Sequence, residues 1–163
     1  MVAVAAGASI LGTYMSVQGA RAQGKAQAAA SRYNAAINDR NAKSADIQAD
    51  WTKLRGDIET LNFVDDFREL NAATAQRVRY DGWTLTGTGL DVYMKNAQEA
   101  DEEKTIREVD TYAEMQAYHE KGVNERLSAN LNRMYAKSYL TASRYRAAGA
   151  AAAGISKTAY MLT

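Results

Sequence analysis

The chain contains no proline and no cysteine. Without cysteine it can build neither a disulfide framework nor a thiolate metal site. Without proline, no helix interior is interrupted by the residue that removes a backbone donor and clashes with the preceding turn. Large aromatic bulk is scarce, with two Phe and two Trp beside ten Tyr. Apolar residues make up 47% of the 163 positions, but much of that share is alanine. Such a chain buries a narrow seam more readily than a thick core, so it is expected to draw stability from neighbouring copies.

Catalytic chemistry is equally sparse. The single histidine, His119, has no cysteine and no second histidine to work with, and reads as a helix-surface residue. Asp101, Glu102 and Glu103 are adjacent. Adjacent residues on a helix point in different directions, so these carboxylates do not converge on one cation or substrate. Gly82, Gly87 and Gly89 match neither the dinucleotide fingerprint nor the P-loop. No catalytic, cofactor-binding or metal-binding residue is assigned, and the chain is expected not to be an enzyme.

What is present is a bend between helical stretches. The run Asp81 to Asp91 holds three glycines within eight residues, more than any other stretch. Glycine reaches backbone angles that other residues adopt only at a cost. Gly82, Gly87 and Gly89 therefore form the bend of a hairpin. Thr88 caps the helix that follows, with Asp91 reaching back in a capping box. The expected fold is all-α, an elongated antiparallel helical hairpin forming a single domain over 1–163. Its first arm is 1–80, its bend 81–89 and its second arm 90–163. Each arm, at ~1.5 Å per residue, would run on the order of 100 Å if unbroken, which implies breaks, neighbours or both.

Within the first arm, residues 1–20 carry no charge. That length approaches a bilayer span, but small residues outnumber large apolar ones, and no basic residue precedes the run as in a secretory signal. Ala8, Gly12, Ser16, Ala20, Gly24 and Ala28 recur every four positions. Such a ridge lets another helix approach closely, in water or in a membrane. The Ala/Gly-rich end at 147–163 mirrors it, with Ala150, Gly154 and Thr158 at the same spacing. The two ridges would meet in an antiparallel hairpin.

Between the ends, a second pattern stands out. Ile47, Trp51, Leu54, Ile58 and Leu61 alternate steps of four and three, which is coiled-coil spacing and reads as the buried seam. Arg40 and Ser44 interrupt it upstream, and it slips beyond Leu61. The second arm continues with Ile106, Val109, Val123, Leu127, Leu131 and Met134. Gly56 reads as a weak point that need not stop the helix, and Glu120-Lys121-Gly122 as a joint or kink.

The net charge of +1 hides a strong asymmetry. Counted along the sequence, 1–43 is +4, 44–80 is −2, 81–120 is −7 and 121–163 is +6. A chain folded at the bend would gather the basic segments at its open end and the acidic ones at its turn. The same pattern also suits plain solvated helices. The basic ends lack the aromatics and sheet of a single-strand binder, but they retain non-specific attraction to phosphate.

The order of these features resembles the internal virion (core, or ejection) proteins of short-tailed bacteriophages. The likeness begins with the uncharged Ala5 to Gly12 segment and Arg32-Tyr33-Asn34-Ala35. Its most specific part is Gly82-Trp83-Thr84-Leu85-Thr86-Gly87-Thr88-Gly89-Leu90-Asp91-Val92, similar to a family wording Gly-x-x-Leu-x-Gly-Ser-x-Leu-Asp-Val. Thr88 stands where Ser is commoner, and Gly89 where Pro is often found. An Ile106-Arg107 step and the Ala/Gly tail complete it.

The resemblance implies a protein held inside the capsid near the portal or tail, which reaches the host envelope after ejection and helps form a conduit for DNA. It also implies a homo-oligomer, packed side by side in a ring or tube. Its partners would be the portal and other core or tail proteins, the host membrane after ejection, and phage DNA by non-specific contact. A head–tail adaptor or tail plug with no membrane role is the alternative. A cytosolic DNA-binding coiled coil and a cell-wall hydrolase are further rivals.

Overall fold

The absence of proline and the abundance of Ala, Gln, Glu, Lys and Arg favour long uninterrupted helices. A computed structural model describes residues 2–80 and 87–162. Every described residue except Gly87 is α-helical. Helix α1 spans Val2–Tyr80 and helix α2 spans Thr88–Leu162. The two pack against each other as an antiparallel hairpin.

Of the breaks or neighbours that arms of this length imply, no break is found among the described residues. Both Gly56 and Gly122 lie inside a continuous helix, on its buried side. A Cβ at Gly56 would overlap the side chain of Thr111. Glycine is there because the opposite helix comes too close for a larger residue, which the reading as a weak point did not anticipate.

The start of α2 is set by Gly87. Its φ of +66° is the only positive one among the described residues, and lies where an L side chain is strained. Its carbonyl accepts hydrogen bonds from the amides of Leu90 (3.0 Å) and Asp91 (3.1 Å). Gly87 thus occupies the cap position, and Thr88 is the first helical residue. The cap falls one residue before the one expected. Asp91 lies in the first turn, where the helix dipole favours negative charge. Gly89 is exposed and helical, and Gly82 lies outside the described residues.

By contacts, the chain divides into two compact units, and these cut across the arms. Unit 1 joins Met1–Ala42 with Asn124–Thr163, and unit 2 is Lys43–Val123. Each is a pair of helical segments, one from α1 and one from α2.

In unit 1 the pairing is read from close contacts. Thr13 meets Gly154 and Ser143 meets Gly24, so a rise from 13 to 24 on α1 matches a fall from 154 to 143 on α2. This is antiparallel pairing. Ala28, Ala35, Ala42, Ala129, Ala136 and Ala147 are buried along this seam, with Ser31 and Ser143. The Ser143 hydroxyl is satisfied by the carbonyl of Leu140 at 2.9 Å. Arg133 bridges to Asp39 across the pair.

In unit 2, Ala45, Ala49, Thr52 and Thr60 are buried, and Gly56 packs on Thr111. Arg55 bridges to Glu114 at 2.9 Å, and the Arg107 guanidinium lies 4.7 Å from the centre of the Phe63 ring. Both ties join α1 to α2 at the edge of the seam. The exposed ion pair contributes little energy, of order 0–1 kcal/mol, and serves chiefly to fix register.

A candidate interaction surface

Seam positions on α1 follow Gly24, Ala28, Ser31, Ala35, Ala42, Ala45, Ala49, Thr52 and Gly56. With Asn38 filling the one gap, the steps alternate four and three, the heptad rhythm of a coiled coil. Every residue on it is small or polar. A methyl-sized group returns only ~0.8 kcal/mol on burial, against ~1.5–3 kcal/mol for a Val, Leu or Ile side chain. The seam therefore buys close approach of the two backbones more than it gains hydrophobic energy.

The large apolar residues lie elsewhere. Among the described residues, no large side chain is fully buried. Ile47, Trp51, Leu54, Ile58 and Leu61, expected as the buried seam, are all exposed. The reason is phase. Ile47, Trp51, Leu54 and Ile58 each follow a seam residue, Ala45, Ala49, Thr52 and Gly56, by two positions. Two residues are about 200° round a helix, so this second stripe occupies the opposite side. Unit 2 exposes Ile106 and Val109 of α2 as well. In unit 1 the exposed set includes Tyr33, Leu127, Leu131 and Met134.

One stretch of this surface is concave. Gln48, Trp51, Leu54, Arg55, Ile58, Glu114 and Tyr118 line an open groove of ≈ 550 Å³ within unit 2. Trp51, Leu54 and Ile58 supply its apolar lining, and the Arg55–Glu114 pair is among its polar residues. The groove offers shape and apolar area.

The four-residue ridge is only partly on the seam. Gly24, Ala28 and Gly154 are buried, Ala20 and Ala150 are half-buried, and Gly12 and Ser16 are exposed. Four residues turn a helix by about 400°, so a strict four-step ridge rotates about 40° per step and leaves a straight contact line. Thr13 and Val17 are the half-buried positions there instead. The side chains of Ala8, Thr88 and Thr158 lie outside the described part. Gly24 and Gly154, expected on the packing ridge, are buried, and the missed signal was that Gly56 and Gly122 are buried too.

No helix among the described residues is long and apolar enough to cross a membrane. No group of three or more His, Cys, Asp or Glu among them is placed to hold a metal ion. No protein-family model, no curated protein and no solved structure matches this chain.

Proposed function

We propose that this protein is a non-enzymatic assembly component of a bacteriophage virion. Copies associate near the portal and take part in DNA delivery across the host envelope. The observation that carries the assembly half of this reading is the outer apolar face. A hairpin that spends alanine on its own seam and leaves Trp51, Leu54 and Ile58 exposed is built to be covered. The virion half rests on the resemblance of the Gly82–Val92 motif and on the order of the flanking segments. Absence of disulfides suits a chain that must unfold to pass a narrow tail and re-form beyond it.

In this reading copies lie side by side in a ring or tube. They touch the portal and other core or tail proteins, and the basic unit meets DNA or lipid phosphate without sequence preference. Imaging of assembled particles carrying a tagged copy tests it. Density near the portal is the expected result, and absence of the protein from purified particles would sink the reading.

A second reading, a head–tail adaptor or tail plug with no membrane role, is favoured by one observation: no described helix is long and apolar enough to span a bilayer. Protease treatment of freshly infected cells separates the two. A fragment shielded by the envelope supports the conduit, and complete digestion supports the adaptor.

A further inference from the structure

We infer that the outer apolar face is covered by a second copy of the same chain, set so that the basic unit of each copy lies on the acidic unit of the other. The inference does not need the virion assignment, and it goes beyond that reading by naming the partner and its orientation.

Surface area supplies the first argument. The chain exposes 12365 Å². A compact monomer of 17.8 kDa would expose ~8,000 Å². The excess, ~4,400 Å² on each chain, is larger than the ~1,000–2,500 Å² that each partner contributes to a permanent homodimer, so the chain has ample surface for one. Much of what is exposed is of the kind such interfaces bury, including Trp51, Leu54 and Ile58 in unit 2 and Tyr33, Leu131 and Met134 in unit 1. Both units carry it, so a self-complementary contact can draw on both.

Charge decides the orientation. Unit 1 holds ten basic and two acidic residues, a net of +8, and unit 2 holds ten basic and seventeen acidic, a net of −7. These add to the chain's +1. Two copies aligned like with like would set +8 beside +8 and −7 beside −7. Opposed copies set each unit on its opposite. A two-fold axis between them makes the same contact twice and closes the pair, and such pairs, in place of single copies, are then the building blocks of any ring or tube. Apolar area then supplies the affinity, and charge excludes the wrong alignment. Across a contact the charges lie within the Debye length, ~8 Å at physiological salt, so they are felt.

The absence of cysteine makes the test clean. Leu54→Cys marks the acidic unit and Leu131→Cys the basic one, both at exposed positions. Equal amounts of the two variants, one isotopically heavy, are mixed, allowed to exchange and joined with a short bismaleimide. Mixed 54–131 links are expected to exceed the same-site links by about fivefold or more at low salt, with the preference shrinking in 1 M salt as charge is screened.

Sedimentation of the unmodified chain should show a concentration-dependent dimer. A majority of 54–54 and 131–131 links would overturn the orientation and leave the virion reading standing. A chain that stays monomeric at every concentration, or associates only when anionic vesicles are added, would overturn the inference altogether. Localisation in the particle tests the virion reading separately.

Discussion

Ala49 is completely buried, and Trp51, two residues further along the same helix, is 65% exposed. The small residue lies in the seam, and the large one stands outside it, exposed at the groove it lines with Glu114 and Tyr118. Two faces of one helix thus have separate roles: close approach within the chain, and apolar area for a partner. This division has consequences that differ from those of an ordinary amphipathic helix, whose large residues face its own core.

Enlarging the inner face should be costly. Ala49→Leu forces extra methylenes between two close backbones and is expected to lower stability by about 1–3 kcal/mol. Urea unfolding of the dilute chain measures it. Trp51→Leu, on the outer face, should change the same midpoint by no more than about 0.5 kcal/mol.

Glycine substitutions should change sign with position. Gly12 has open space around it, so Gly12→Ala should stabilise α1 by about 0.5–1 kcal/mol. Gly56→Ala, which meets Thr111, should destabilise instead. Adding Thr111→Ala to the same chain removes the overlapping hydroxyl and methyl groups and should recover part of the loss. Thermal unfolding of the single and double variants checks the pair.

The seam explains how much could be read from the residues. The all-helical hairpin was legible, because no proline interrupts the arms and the glycine cluster includes Gly87, where a positive φ is needed. The phase of the seam was not. The stripe through Ile47 and Trp51 and the stripe through Ala45 and Ala49 share the same rhythm and differ only by two positions. Periodicity identifies both and ranks neither. Hydrophobicity favours the larger residues, whereas a close two-helix contact selects the smaller. Gly56 and Gly122, in phase with the alanines, held the answer, although sequence alone makes the first a weak point and the second a joint or kink.

Gly87→Ala should cost about 1 kcal/mol, because alanine pays for a left-handed backbone at the start of α2, and Gly87→Asn should cost less. Denaturant midpoints of the two variants, compared with the parent, give the order.

Ion pairs at the seam edge should matter little to stability. Arg55 and Glu114 are 61% and 45% exposed, so Glu114→Gln should lower stability by less than about 1 kcal/mol. A double-mutant cycle with Arg55→Ala isolates the pair.

The central claim is that the large apolar face lies outside the hairpin and is closed by another copy. Trp51 reports on it directly once Trp83, the only other tryptophan, is changed to Phe. Emission and iodide quenching are followed from nanomolar to high micromolar concentration. The expected result is a water-exposed, freely quenched Trp51 at high dilution that shifts to the blue and becomes protected as concentration rises. A Trp51 already shielded at a dilution where sedimentation shows a monomer would place the large stripe inside the hairpin and contradict the account.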